Sequence, residues 1–228
     1  MANVIVTIDG PAASGKSTVA RLLAEKLGAS FLDTGAMYRA VTLAALKAGA
    51  DMTDQDQLLG ILTNNDFKFA AKEGKMTASI DGVDVTEQIR DPKVTANARN
   101  IASAEKLREK LVHMQRQFAA REEKIITEGR DQGTVAFPNA NIKFYLIADT
   151  LERARRRQAE LQAKGSSENL EKIKMAIEER DKSDQARAAG PLKPAADAIV
   201  VDTTHLTIEE VVEKLLCHVE ECPKEGQR

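Results

Sequence analysis

The stretch Val4-Ile5-Val6-Thr7-Ile8-Asp9-Gly10-Pro11-Ala12-Ala13-Ser14-Gly15-Lys16-Ser17-Thr18 restricts this chain more than any other. Val4 to Ile8 is an apolar run of the kind that forms a buried strand. Gly10 to Ser17 spells G-x-x-x-x-G-K-S, and Val19-Ala20-Arg21-Leu22-Leu23-Ala24 resumes with apolar positions at helical spacing. Strand, glycine loop and helix in that order are the context of a phosphate-binding loop. The glycines permit a tight turn that aims several backbone N–H groups inward, and the helix adds its first amides and the positive end of its dipole. Lys16 would reach the β- and γ-phosphates as a point charge, and the Ser17 hydroxyl would ligate magnesium. Gly10, Pro11, Ala12, Ala13, Ser14, Gly15, Lys16, Ser17 and Thr18 are therefore the candidate nucleoside triphosphate site. The loop does not say what receives the phosphate.

Composition narrows the partners. Lys and Arg number 33 against 35 Asp and Glu, so the net charge of −2 favours neither a nucleic-acid coat nor an anionic membrane surface. Cys217 and Cys222 are too few for a disulfide framework or a zinc site and read as incidental thiols in a reducing compartment. Met1 to Thr7 shows no basic region followed by a long apolar segment, and no apolar run is long enough to span a membrane, so a cytoplasmic location is expected.

Along the chain, apolar strands alternate with helices. Gly28 ends the first helix, Ala29 to Leu32 reads as a second strand, and Thr34 is the expected cap of a helix running to Lys47. Asp33 closes the strand at the edge where ligands bind in open α/β sheets, either as a simple capping residue or as a ligand-side carboxylate. Arg39 follows one turn later, as an anion clamp or a surface residue. Residues 66–70, 75–80 and 83–86 look like small antiparallel strands, with Glu73-Gly74 and Asp81-Gly82 as turns. Ala104 to Glu122 reads as one long helix with Leu107, Leu111, Met114 and Phe118 inward, and with Arg108 beside that face. Lys124 to Glu128 is another buried strand, and it runs into Gly129-Arg130-Asp131-Gln132-Gly133, a glycine-flanked charged pair at the ligand edge. Strands at 142–147 and 199–201 and a closing helix from Thr207 to Cys217 complete about five parallel strands, a three-layer α/β arrangement.

Thr150 to Gln158 begins an arginine-rich helix, with Thr150 as the expected cap. Arg153, Arg156 and Arg157 lie three and four apart and so can converge on one face. After a polar bend, Leu170 to Ser183 forms a second helix with Ile173 and Ile177 as its ridge. If it continues, Arg180, Asp184 and Arg187 share one stripe. Two polar helices joined by a flexible tip suggest a lid. Positioned cations beside a triphosphate suit phosphoryl transfer. An RNA-binding hairpin is the bland alternative, but the segment has no interleaved aromatics for base stacking.

Taken together, Gly10 to Thr18, Leu32-Asp33-Thr34-Gly35-Ala36-Met37-Tyr38-Arg39, Glu128 to Pro138, Arg180-Asp181 through Asp184 and Arg187, and Pro191-Leu192 resemble the bacterial cytidylate kinases of the nucleoside monophosphate kinase group. The resemblance runs from Val4 to Leu216. It implies transfer of the γ-phosphoryl of ATP to CMP or dCMP with magnesium. Chain length and the absence of an exposed heptad seam favour a monomer, and the charge balance and patterning favour no nucleic-acid or membrane partner. The resemblance implies a core at about 1–38, 102–150 and 190–218, a monophosphate-binding lobe with the β insertion at about 39–101, a lid at about 151–189 and a polar tail at 219–228. By the same resemblance Arg39, Arg130 and Arg187 hold the acceptor phosphate, and Thr34, Arg108 and Asp131 read the cytosine edge. Arg180 and Asp184 hold the sugar, and Lys16, Arg153 and Arg157 act on the transferring phosphoryl. Three positions depart from the family pattern: Thr34 replaces a serine, Arg99 stands where a serine near the sugar is usual, and Gln132 replaces an apolar residue. A kinase of UMP, AMP or a non-nucleotide acceptor, and a non-catalytic nucleotide switch, are the competing readings.

Overall fold

In chain order, β1 (Val4–Asp9) leads to α1 (Lys16–Leu27), β2 (Ser30–Asp33) and α2 (Thr34–Lys47). Then come α3 (Gln55–Asn64), β3 (Phe67–Lys72), β4 (Lys75–Ile80), β5 (Val83–Asp84), α4 (Pro92–Ser103) and α5 (Glu105–Ala119). The chain closes with β6 (Lys124–Gly129), β7 (Ile142–Ile147), α6 (Thr150–Ala163), α7 (Leu170–Gln185), β8 (Ile199–Asp202) and α8 (Ile208–Glu221). This computed structural model describes residues 4–72, 75–163 and 165–221. The expected Glu73-Gly74 turn, Cys222 and the tail beyond it lie outside the described residues, as does the chain before Val4.

Among the described residues, five strands pair in parallel in the order β2-β6-β1-β7-β8. The central strands are buried on both faces, which is why β1 and β6 read as continuous apolar runs rather than alternating ones. One core packs α2 and α5 on one side of the sheet, around Leu32, Met37, Val41, Leu107, Leu111 and Ile125. The other packs α1 and α8 on the opposite side, around Ile8, Leu23, Phe144, Leu146, Val211 and Leu215. Each such side chain contributes roughly 1.5–3 kcal/mol on burial.

The three short strands β3, β4 and β5 form a separate antiparallel sheet. Asp81 and Gly82 turn the chain between β4 and β5 with φ of 52° and 80°, the geometry of a type I′ hairpin. Phe67, Met76, Ala78 and Val85 of this insertion bury into the same core as α2 and α5. No helix among the described residues is long and apolar enough to cross a membrane.

Two caps differ from expectation by one residue, for the same reason. Asp33, not Thr34, caps α2, accepting the Ala36 N–H at 2.8 Å. Asp149, not Thr150, receives the Leu151 and Glu152 amides at 2.9 and 3.2 Å. A carboxylate is the stronger acceptor for a helix's free amides and adds a favourable charge at the dipole. The helix expected from Ala104 to Glu122 is α5, which runs from Glu105 only to Ala119 and follows directly on the separate helix α4 ending at Ser103.

Candidate active site

Strand register assembles the site. Asp9 sits level with Gly129 and Tyr145, and Asp33 level with Glu128, so β1, β2 and β6 end at one carboxyl edge. Gly10 leaves that edge with φ 152°, and a Cβ there would run into the Leu146 carbonyl. Only glycine lets the loop start this close to β7. Gly15, at φ 86°, then turns the chain into α1.

Lys16 folds over this loop, donating to the Pro11 carbonyl at 2.6 Å and to Ser14 Oγ at 3.3 Å. It is 5% exposed. Burial, followed by the positive charge of Arg130, lowers its pKa from 10.5 to about 7, with Arg180 adding to the effect. The next residue, Ser17, donates its hydroxyl to Glu128 Oε1 at 2.8 Å. A hydroxyl and a carboxylate at the loop mouth are hard oxygen donors of the type a magnesium ion takes alongside phosphate oxygens. Among the described residues no group of three His, Cys, Asp or Glu side chains could hold a metal, so a magnesium ion here would take its remaining ligands from substrate phosphate oxygens and water.

Opposite the loop lies a cluster of arginines. Arg39 pairs with Asp33 at 3.0 Å. Arg130 donates from Nε to Asp184 Oδ2 at 2.7 Å and from its terminal nitrogen to the Gly129 carbonyl at 3.1 Å. Arg187 pairs with the other Asp184 oxygen. Burial opposes the Asp184 charge, but Arg130 and Arg187 together overcome it and hold the carboxyl below its ordinary value. Among the described residues, the Nε atoms of Arg39 and Arg187 are buried without a hydrogen-bond partner. Arg180 stays open to solvent although protein surrounds it. That crowding, and then Arg130, lower its pKa to about 10, with Arg187 and Arg39 acting in the same direction. Cations packed together in this way are costly unless an anion joins them.

A second buried pair flanks this cluster. Arg108, on the inner face of α5, pairs with Asp131, donates to the Ala102 carbonyl at 3.2 Å and lies 5.8 Å from the Tyr38 ring centroid. Thr34 donates to the Glu128 carbonyl at 2.8 Å. Gly190, with φ 62°, packs directly on the ion pair, and a Cβ there would strike both Arg108 and Asp131. Gly190→Ala is therefore expected to cost about 2–4 kcal/mol, from backbone strain plus displacement of the pair. Urea unfolding measures this, and a change below ~0.5 kcal/mol would mean that the loop moves aside freely.

The hairpin arginines diverge rather than converge. Arg153 is buried and wholly engaged with protein, donating to Ala148 O, Thr150 Oγ1, Ala12 O and Asp181. Arg156 turns to the Thr203 carbonyl, and Arg157 pairs with Glu160 on the half-exposed side at 2.9 Å. Four residues advance a helix by 40° beyond a full turn, enough to carry Arg157 off the buried seam that holds Arg153. Asp181 also accepts the Ala12 N–H at 3.1 Å, and Ala13 packs with Ala154, Ile173 and Ile177 in a small hairpin core. Among the described residues Arg99 forms an exposed 3.8 Å pair with Glu179.

Four residues of the site have no role assigned from the sequence: Glu128 and Asp181 stand inside motifs that carry the family resemblance, Asp9 stands inside the opening stretch, and Gly190 is not singled out. The strand-end acids could have been found by asking what faces the loop from neighbouring strands. Asp181 and Gly190 depend on tertiary docking. Gln132, unexplained in the sequence, is 1% exposed. Its Oε1 accepts from Thr127 at 3.0 Å, and its backbone N–H donates to Asp9. A polar side chain is therefore satisfied where an apolar one would leave the Thr127 hydroxyl only its longer bond to the Leu32 carbonyl at 3.3 Å.

A phosphate-binding loop on a parallel sheet of this strand order, with a gathered set of cations facing it, defines the class of P-loop phosphotransferases. Within that class the chain belongs to the cytidylate kinase family, whose family model matches residues 6–221. A protein named cytidylate kinase from Stutzerimonas stutzeri (strain A1501) is 47% identical over 218 residues, covering 94% of each chain. One of the same name from Pelotomaculum thermopropionicum is 46% identical, covering 94% of this chain and 95% of its own. Another from Haemophilus ducreyi is 42% identical, covering 96% and 97%.

Proposed function

We propose that this chain transfers the γ-phosphoryl of ATP to CMP or dCMP, giving ADP and the corresponding diphosphate. The observation that carries the reading is electrostatic. Arg130 is the leading charge that lowers the pKa of both Lys16 and Arg180, and a single carboxylate, Asp184, is shared between Arg130 and Arg187, so this cluster calls for further negative charge to balance it. Two phosphate-bearing substrates meeting between them would supply that balance. The relatives' common name supplies the cytosine.

In this reading Gly10 to Thr18 and Lys16 hold the triphosphate, and Ser17 holds magnesium with Glu128 behind it. The ion would shield phosphate charge. Arg39, Arg130 and Arg187 orient the acceptor phosphate for in-line attack. Thr34, Arg108 and Asp131 face the base, with Arg108 and Asp131 offering a donor and an acceptor side by side. Asp184 serves the sugar side. Arg180, which feels both Lys16 and the acceptor-side arginines, stands where charge on the transferring phosphoryl would be shared. Arg153 braces the loop, and Arg157 joins the reaction only by leaving Glu160. Residues 39–101 would act as the monophosphate-binding lobe and 151–189 as the lid, moving against the remaining core. Hydrogen-bonded pre-organisation, rather than a general base, carries the rate.

An ADP-release assay with CMP, dCMP, UMP, AMP and no acceptor tests the function. Acceleration by CMP or dCMP well above the others is expected, and equal stimulation by AMP would overturn the assignment. Arg108→Ala is expected to lower the preference for CMP over UMP and AMP by ~10–100-fold, with the affinity for an ATP analogue little changed. Unaltered acceptor ratios would remove Arg108 from base reading.

A further inference from the structure

We propose that Asp9 is a positioning residue that ties the donor loop to the acceptor loop, and that its carboxylate fixes where Arg130 and Asp131 stand relative to the triphosphate. The proposal rests on the two-substrate reading above. Asp9 is the last residue of β1, and the donor loop begins at the next position, Gly10. It sits level with Gly129, the last residue of β6, so the two loops leave the sheet side by side. Gly10 passes so close to β7 that a Cβ there would run into the Leu146 carbonyl. From the residue before it, the Asp9 side chain crosses to the neighbouring loop. Oδ1 accepts the Gln132 N–H at 2.9 Å and Oδ2 the Gly133 N–H at 2.7 Å.

The arrangement holds the acceptor loop from several directions. A Cβ on Gly133 would come within 3.0 Å of Thr7 Oγ1 and 3.2 Å of Lys143 Cδ, so the turn packs closely on β1 and β7. The Gln132 side chain is anchored separately to Thr127. Of these anchors, Asp9 is the one continuous with the donor loop. Arg130 and Asp131 immediately precede the two amides it holds, so their position follows from its grip.

The choice of residue supports a positioning role. Asp9 is 4% exposed, and burial raises its pKa to about 7 although the Gly133 and Gln132 amides oppose the rise. A buried carboxylate is costly, and a turn that needed only one acceptor could use a neutral side chain. Two consecutive amides require two acceptor oxygens at one fixed spacing, which a carboxylate provides.

Asp9→Asn tests this in the full-length chain. Asparagine keeps the shape but sets an NH₂ donor against one of the two amides. Titration calorimetry with CMP, and separately with a non-hydrolysable ATP analogue, is combined with steady-state rates. The expected result is a CMP dissociation constant raised at least ~10-fold and a kcat lowered at least ~10-fold, with analogue affinity within ~3-fold of the parent. Unchanged CMP affinity, loss confined to the analogue, or equal weakening of both would overturn the proposal. If Asp9→Asn does not melt cooperatively, Gly133→Ala disturbs the same contact, because its Cβ would crowd Thr7 Oγ1 and Lys143 Cδ and displace the Gly133 amide. CMP affinity within ~2-fold of the parent there would likewise overturn it, and selective weakening of CMP would support it. Failure of the unmodified chain to bind CMP would instead remove the two-substrate reading, and this proposal with it.

Discussion

Lys16→Ala is expected to lower the rate of CMP-dependent ADP formation by at least ~1000-fold while leaving a cooperatively folded chain. The alanine chain should also be the more stable one at neutral pH without nucleotide. Burial and then Arg130 hold the Lys16 pKa at about 7 instead of 10.5, which places a cost of order 5 kcal/mol on the protonated amine. Removal of its buried methylenes and its bonds to Pro11 and Ser14 offsets about 3 kcal/mol of the gain. The direction with pH follows from proton binding. Below about pH 7 both folded and unfolded chains carry the proton, and the full cost applies. As pH rises from about 7 towards 10.5, only the unfolded chain keeps the proton, and the cost fades. The alanine chain should therefore resist urea better than the parent near pH 7 and worse near pH ~9.5. A stability difference independent of pH would contradict the burial of the amine, and near-normal turnover would remove Lys16 from phosphoryl transfer.

Arg130→Ala has the second large effect. Its guanidinium makes two separate contacts, to Asp184 and to the Gly129 carbonyl, and it is the leading charge acting on both Lys16 and Arg180. Its loss should reduce kcat/KM for CMP by ~10³-fold, with the affinity for an ATP analogue changed little. Asp184 keeps Arg187, so the loss of stability stays near 1–3 kcal/mol. Arg130→Lys should recover little, since one ammonium cannot reproduce a fork directed at two acceptors. Calorimetry with CMP and with the analogue separates these outcomes. Equal weakening of both ligands would show that Arg130 serves the general fold.

The proposed donor half of the site was legible in local sequence. Gly10, Gly15, Lys16 and Ser17 would act through backbone geometry and helix polarity, which depend on near neighbours. The five strands were legible because buried parallel strands need continuous apolar runs, and the small antiparallel sheet because its turns use Asp81-Gly82. The arginine-rich hairpin was legible only as a pair of helices. Spacing along α6 could not show that Arg153 turns to Ala12 and Asp181 while Arg157 turns to Glu160, because that depends on where the hairpin docks. Glu128 and Asp9 became visible only through strand register, a tertiary property. Gln132 looked anomalous until Thr127, five residues earlier, supplied its partner.

The grip of the helical hairpin on Ala12 and Ala13 has a mechanical consequence. Ala12 is held at its N–H by Asp181 and at its carbonyl by Arg153, and Ala13 is packed among hairpin side chains. The hairpin is therefore anchored on the loop that would hold the triphosphate. Any outward swing of the hairpin would be borne first by Ala12 and Ala13, so its opening and the departure of a spent nucleotide would be mechanically coupled.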